Sequence, residues 1–219
     1  MADSIKEAYA SSKSIYDDTL TQSKWWSQVY IRLFWGGVND IEIANWVLDQ
    51  IPPDFKGNLL DVPVGTGVFT AHMYAVLPHA QIVCLDYSED MLIQAKKKFS
   101  FHKIENISCI HGDVGSLGFK DESYDVVLSM NGFHAFPDKE RAFLETARVL
   151  KKGGMFCGCF YIKGENYITD LLVNAVLAKK GWFTPPFYSF HELKENLCAL
   201  YVPVEIHHQS SMVYFSCTK

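Results

Sequence analysis

A short glycine loop between an apolar run and a helical segment constrains this chain more than any other feature. Residues 59–70 read Leu-Leu-Asp-Val-Pro-Val-Gly-Thr-Gly-Val-Phe-Thr. The apolar run ends in Asp61, and Gly65 and Gly67 then let the backbone turn tightly and approach a ligand. A strand, a glycine loop and a helix N-terminus form a common cradle for nucleotide-like cofactors in open α/β sheets. A Gly-x-Gly loop alone is a weak signal, so this prediction depends on the segments that follow.

Further apolar stretches follow, and several of them end in polar residues. One ends in Asp86, about twenty residues after the glycines, where doubly wound folds place a carboxylate on ribose hydroxyls. The next two end in Asp113 and in Asn131-Gly132. Because ligands bind outside the carboxyl ends of such strands, we expect these residues to converge on one crevice. The stretches cover residues 81–86, 107–113, 124–132 and 155–161.

With these motifs the chain resembles the class I S-adenosylmethionine (SAM)-dependent methyltransferases, in the broad group that includes the ubiquinone/menaquinone biosynthesis methyltransferases. The resemblance covers residues 45–219, and it departs from the family at Pro63, where the first glycine of the loop usually stands. Proline fixes φ and removes an N–H, so we expect a stiffer start to the loop. The motifs are residues 61–67, Leu85-Asp86-Tyr87-Ser88, His111-Gly112-Asp113-Val114, Tyr124-Asp125-Val126-Val127 and Arg148-Val149-Leu150-Lys151-Lys152-Gly153-Gly154.

The resemblance implies a doubly wound, mostly parallel seven-stranded sheet with an antiparallel C-terminal strand. Repeated βα units independently indicate a parallel sheet flanked by helices. We expect Gly153 to stop a helix, Ser189 and Glu192 to form a capping box, and His207-His208 to lie in a turn. The predicted helices lie near residues 68–77, 88–99, 139–150 and 168–180, and the closing strands at 200–205 and 211–217.

The first fifty residues have a character of their own. They hold four of the five tryptophans, and Gly36-Gly37 separates two helical pieces at 17–29 and 44–50. We predict that residues 1–50 form a helical lid and that residues 51–219 form the SAM-binding core of one overall domain. The side chains assigned to the lid and substrate pocket are Tyr16, Trp25, Trp26, Tyr30, Phe133 and Trp182.

The resemblance also implies how the crevice binds SAM and its product S-adenosylhomocysteine (SAH). Asp61 holds the loop and faces the cofactor ammonium, and Asp86 accepts both ribose hydroxyls. Tyr87 and Met91 pack on adenine, while Asp113 accepts from the adenine amino group. The N–H of Val114 donates to a ring nitrogen, and Asn131 closes the methionine end. The full predicted cofactor set is Asp61, Val62, Pro63, Gly65, Thr66, Gly67, Asp86, Tyr87, Met91, Gly112, Asp113, Val114, Asn131 and Gly132.

Each of these residues has a purely structural alternative. Asp86 and Asp113 are also suited to capping the helices that follow their strands. Asp61 is compatible with a structural role, Met91 with ordinary helix core, and Tyr87 with a surface position. For His134 on the loop after the fourth strand, we consider a general base, because its pKa suits proton transfer near neutrality. The alternative is a histidine that fixes the loop or lines the pocket.

Charge and composition argue against several protein classes. The net charge is −5, the pI is about 5.9, and the largest basic run is Lys96-Lys97-Lys98, so we expect no nucleic-acid partner. The sequence has neither an apolar run of about 18 residues nor a signal-peptide core, which predicts no membrane span and a cytoplasmic location. The six cysteines are scattered, and no His, Asp or Glu set has metal-ligand spacing, so we expect no metal.

The sequence therefore predicts a methyltransferase that moves a methyl group from SAM to a small molecule. The many aromatics and few charges in the predicted lid favour an apolar or aromatic acceptor. An NAD(P)-dependent oxidoreductase on a similar sheet is one alternative, disfavoured by Asp61 before the loop and Thr70 where a third glycine is expected. A non-catalytic SAM-binding partner protein is the other alternative. A homodimer is left open.

Overall fold

The computed structural model describes residue 38 and residues 40–219, and these contain one seven-stranded sheet. Its order is β3-β2-β1-β4-β5-β7-β6, with β1 to β5 parallel, β7 antiparallel to β5, and β6 antiparallel to β7. The predicted fold class is thus confirmed. The strands are β1 (Asn58–Asp61), β2 (Gln81–Asp86), β3 (Ile107–His111), β4 (Tyr124–Met130), β5 (Leu150–Tyr161), β6 (Val204–Gln209) and β7 (Met212–Thr218).

Several helices begin at residues whose side chains satisfy free backbone N–H groups. Ser88 and Asp138 each accept such a bond, and Ser189 forms the predicted capping box with Glu192. In the part of the chain that the structure describes, no helix is long and apolar enough to cross a membrane. The α-helices are α1 (Asp40–Leu48), α2 (Ala71–Ala75), α3 (Glu89–Phe101), α4 (Lys139–Val149), α5 (Tyr167–Leu172) and α6 (Phe190–Leu200), with a 3₁₀ turn at Val114–Ser116 and a π-helical turn at Val173–Leu177.

Two hydrophobic cores cover the two faces of the sheet, because successive strand residues point to opposite faces. Leu59 joins one core and Leu60 the other, and both are fully buried. Helix α1 belongs to the Leu59 side, where Ile43 and Val47 are buried. The predicted lid, residues 1–50, includes this helix, and this described part of it packs on the sheet. The division of the chain at residue 50 stays a prediction.

Three local predictions differ from the structure. Helix α2 covers only Ala71–Ala75, because turns occupy the rest of the predicted span. Gly153 does not stop a helix; α4 ends at Val149, and Gly153 lies inside β5 at φ 76°. His207 and His208 lie in β6 rather than in a turn, since the hairpin closes through the pair Gln209 and Met212.

Candidate active site

The glycine loop after β1 is fastened to the end of the neighbouring strand β2. The Gly65 N–H donates to Asp86 Oδ2 at 2.8 Å, and Gly65 and Gly67 have positive φ angles of 57° and 69°. A Cβ on Gly67 would lie 2.9 Å from the Phe99 ring, whereas a Cβ on Gly65 would meet no atom of the described residues within 4 Å. Gly67 is thus required by packing, while Gly65 faces open space on which a ligand can close.

Asp61 ends β1 beneath this loop and is fully buried. Its Oδ2 accepts hydrogen bonds from Tyr74 Oη at 2.7 Å and from Thr70 Oγ1 at 3.3 Å. Its Oδ1 is buried and has no hydrogen-bond partner among the described residues. Burial raises the pKa of Asp61 to about 7, against the lowering effect of the Tyr74 and Thr70 hydrogen bonds. An unpaired buried carboxylate oxygen of this kind fits a cationic or hydrogen-bond-donating ligand group.

Asp86 ends β2 and connects two loops. The Gly65 N–H donates to its Oδ2, and the Ser88 N–H donates to its Oδ1 at a distance of 2.8 Å. Only 4% of Asp86 is exposed, and burial raises its pKa to about 6, although the N–H groups of Ser88 and Gly65 lower it. Each carboxylate oxygen has a second lone pair, so Asp86 retains the capacity to accept ribose hydroxyls.

The residues after β2 and β3 lie side by side, because Asp86 and His111 are register partners. Tyr87 is 49% exposed, its carbonyl oxygen is 2.8 Å from His111 Nε2, and its ring is available to a ligand. Met91, by contrast, is 6% exposed in the first turn of α3, as its core alternative predicted. Gly112 packs on Leu85, because a Cβ there would lie 3.0 Å from that side chain.

Asp113 and Val114 start the 3₁₀ turn after β3. The Asp113 side chain is exposed, and its Oδ1 accepts the Gly115 N–H at 2.8 Å, so it caps the turn as its structural alternative predicted. Its second oxygen does not take part in that bond. Val114 is 5% exposed.

The end of β4 packs closely against the glycine loop. Asn131 has a φ of 54°, and its N–H donates to the Cys159 carbonyl at 2.8 Å. A Cβ on Gly132 would collide with the Pro63 ring, so proline at position 63 and glycine at position 132 fit each other. Val62 is fully buried, and its N–H donates to the Leu128 carbonyl at 2.9 Å. Thr66 is also buried.

Two predicted residues lie in the core instead of the crevice. His134 is 3% exposed, its Nδ1 accepts the Tyr161 N–H at 3.3 Å, and its ring stacks on Phe183 at 3.9 Å. Burial lowers the pKa of His134 to about 3, with a further contribution from Lys139. A base so weak and so enclosed is unsuited to proton abstraction, which corrects the general-base prediction. Phe133 is fully buried against the Phe143 ring and is core, not substrate pocket.

Of the side chains predicted for the lid and substrate pocket, Phe133 and Trp182 lie in the described part of the chain. Trp182 is partly buried, and Lys180 Nζ lies 4.9 Å from its ring. The same segment is fixed to the loop after β4, because the Thr184 N–H donates to the His134 carbonyl at 2.9 Å. Tyr16, Trp25, Trp26 and Tyr30 lie outside the described residues.

Sequence reasoning did not predict three polar side chains near the crevice. Thr70 and Tyr74 stand one helical turn apart and hold Asp61; that i, i+4 spacing was visible in the sequence. Asp40 was not marked by any local pattern. Its Oδ1 is buried without a partner among the described residues, and burial raises the pKa of Asp40 to about 6. Burial also raises the pKa of the Cys159 thiol, and the charge of Asp40 adds to that increase. In that same part of the chain, no group of three or more His, Cys, Asp and Glu side chains is arranged to hold a metal ion.

Comparison with known proteins agrees with this geometry. Residues 60–158 match the family described as a methyltransferase domain, and this span contains the glycine loop and the ends of β2, β3 and β4. Residues 60–158 thus carry the methyltransferase domain of that family. It is 42% identical over 97 residues to the demethylmenaquinone methyltransferase of Staphylococcus aureus, covering 44% of this chain and 39% of that protein. The chain thus spans about a third to two fifths of the curated relatives it matches, 32% and 39% in two cases.

Solved structures share the fold of the methyltransferase domain. Phosphoethanolamine N-methyltransferase 2 of Haemonchus contortus, determined with phosphomonomethylethanolamine and SAH, superposes with a TM-score of 0.68 at 15% identity. The alignment covers 81% of this chain and 52% of that one. The cyclase SpnF superposes with a TM-score of 0.67 at 17% identity, over 82% of this chain and 81% of its own. At such identities the likeness shows the fold alone.

Proposed function

We propose that this chain is a SAM-dependent methyltransferase that acts on a small, apolar or aromatic acceptor. The observation that carries the proposal is the arrangement at the ends of β1 and β2. An open face at Gly65, an unpaired buried oxygen on Asp61 and the buried carboxylate of Asp86 lie together there. A ligand with a cationic amine and a vicinal diol satisfies all three features at once.

The residues of the crevice suit different parts of SAM. Asp61 Oδ1 would accept from the amino-acid ammonium, and Asp86 would accept from the ribose hydroxyls. The exposed ring of Tyr87 would cover adenine, and Asp113 would accept from the adenine amino group through its second oxygen. Asn131 would close the methionine end. Bound SAM supplies an electrophilic methyl carbon on a sulfonium, while the protein orients the reactants and excludes water.

The proposed acceptor class rests on the aromatic residues that the sequence predicts for the lid. In this proposal Trp182 and the aromatic residues of the N-terminal region would line the acceptor pocket. The name of the staphylococcal relative points to a quinone-type acceptor, which is both apolar and aromatic. Because His134 is corrected to a core residue, no general base is assigned; we propose that positioning and desolvation supply the rate enhancement.

Calorimetric titration of the protein with SAH, and separately with NAD⁺ and NADH, tests the cofactor. Micromolar SAH binding without NAD(H) binding is expected, and the reverse result would replace this proposal with the oxidoreductase alternative. Methyl transfer is then measured with isotope-labelled SAM and a panel of hydroquinones, phenols and polar amines. Label on the aromatic acceptors supports the proposed class. SAH binding without labelling of any acceptor would favour a non-catalytic SAM-binding protein.

A further inference from the structure

Two cysteines and Asp61 form one row across the sheet. Cys109 of β3 is the register partner of Cys84 of β2, and Cys84 is the register partner of Asp61 of β1. Interaction with the Cys109 side chain is also among the causes that raise the pKa of the Cys84 thiol. Neighbouring strands are about 4.8 Å apart, which lies inside the range of about 4.4–6.8 Å between the Cα atoms of disulfide-bonded cysteines.

Only one of the two thiols is accessible. Cys84 is fully buried, whereas Cys109 is partly exposed and lines a cavity of about 430 Å³ between β3 and the end of α3. Lys96, Lys103 and Glu105 also line this cavity, so two positive charges and one negative charge face it. A small oxidant that enters the cavity meets the Cys109 sulfur first.

The surroundings shift the pKa values of the two thiols in opposite directions. The hydrogen bond from Cys84 and the charge of Lys96 lower the pKa of Cys109, although burial opposes them. Burial, the bond to Cys109 and the charge of Asp61 raise the pKa of Cys84 well above its ordinary value. Cys109 is thus the more easily ionised thiol of the pair, and its thiolate is the form that attacks an oxidant.

We propose that Cys109 and Cys84 are a peroxide-sensitive dithiol that closes to a disulfide between β3 and β2. The Cys109 thiolate attacks hydrogen peroxide, the O–O bond breaks, and sulfenic acid and hydroxide form. The Cys84 sulfur then attacks the Cys109 sulfur; the S–O bond breaks and water leaves with the Cys84 proton. The two sulfurs together lose two electrons, and the peroxide gains them.

The disulfide would lie close to the proposed cofactor site, and this consequence rests on the proposed function. Asp61 is the next residue in the row, and Asp86 follows Cys84 by two residues on the same face of β2. A bond of about 2.05 Å between the two sulfurs ties the Cys84 position of β2 to the Cys109 position of β3 and constrains the spacing of the strands there. Oxidation should therefore disturb the Asp86 contact with Gly65 and weaken SAH binding several-fold.

Mass spectrometry of the full-length chain tests the dithiol. The work is done in a Cys198→Ser background, because Cys198 is exposed and would react on its own. After hydrogen peroxide treatment, alkylation and digestion, a Cys84–Cys109 cross-linked peptide is expected, and dithiothreitol should abolish it. In Cys84→Ser, and in Cys84→Ala should the serine variant fail to fold, dimedone should trap sulfenic acid on Cys109. A Cys109 that stays reduced, or that becomes sulfinic acid without a cross-link, would overturn the proposal.

SAH titration of the cross-linked and reduced protein tests the connection to the crevice. The cross-linked form should bind SAH several-fold more weakly, with affinity restored by dithiothreitol. Equal affinities would overturn the connection. Should reduced protein bind no SAH at all, the proposed function would fail, while the cross-linking result would stand on its own.

Discussion

Replacing Asp86 by asparagine tests the contact on which the cofactor site depends. The two Asp86 oxygens accept the Gly65 and Ser88 N–H groups, each at 2.8 Å. Asparagine has nearly the same shape but one oxygen and one NH₂ group, so one of the two backbone donors must face another donor. The variant also removes the negative charge that we propose for binding the ribose hydroxyls.

The expected loss follows from the contacts. Hydrogen bonds to a charged group contribute about 1.5–3 kcal/mol each, and about 1.4 kcal/mol corresponds to a tenfold change in affinity. Loss of one such bond predicts roughly 10- to 100-fold weaker SAH binding for Asp86→Asn. Asp113→Asn is the matched control. Because Asp113 is exposed and its asparagine can still accept the Gly115 N–H, we expect a change of less than about threefold.

Calorimetry with SAH at constant pH and ionic strength measures both variants, and circular dichroism confirms that they fold. An Asp86→Asn affinity equal to that of the unmodified chain would refute the ribose assignment. Equal losses in the two variants would show that burial and bidentate bonding at Asp86 do not set the binding energy.

Three further predictions concern the loop, its buried acid and the N-terminal region. Burial raises the pKa of Asp61 from 3.8 to about 7, so ionisation costs stability as pH rises through that window. The free energy of unfolding in urea should therefore rise by about 1–3 kcal/mol for Asp61→Asn relative to the unmodified chain as the pH goes from about 5 to about 8. A difference between the two proteins that stays constant over this pH range would contradict the prediction. Gly65→Ala places a Cβ at φ 57° and into the open crevice, so unfolding should show a loss of about 1–2 kcal/mol and SAH binding should weaken, with Gly118→Ala as control. Deletion of residues 1–35 should leave a folded chain that binds SAH more weakly and has lost methyl transfer; full transfer activity in the truncated chain would refute the lid.

Helix and strand positions followed mostly from local patterns. Apolar runs predicted the five parallel strands, and Ser189 with Glu192 predicted the start of α6. Boundaries failed where tertiary pairing decides them, as at Gly153, which continues β5 instead of ending a helix. At Gly153 the pairing of β5 with its neighbouring strands outweighs the intrinsic tendency of glycine to follow a helix. The backbone hydrogen bonds of β5 join it to strands that lie far away in the sequence, so no local pattern shows them.

The sequence by itself determined that polar residues would follow β1, β2, β3 and β4, because covalent order puts Asp61, Asp86, Asp113 and Asn131 at those positions. It did not determine which of them would be buried or paired. Only the tertiary structure placed the Gly65 N–H on Asp86, left one Asp61 oxygen without a partner among the described residues, and stacked His134 on the Phe183 ring. Burial and hydrogen-bond partners arise when distant segments pack together, and they set pKa values and exposure that no local pattern contains.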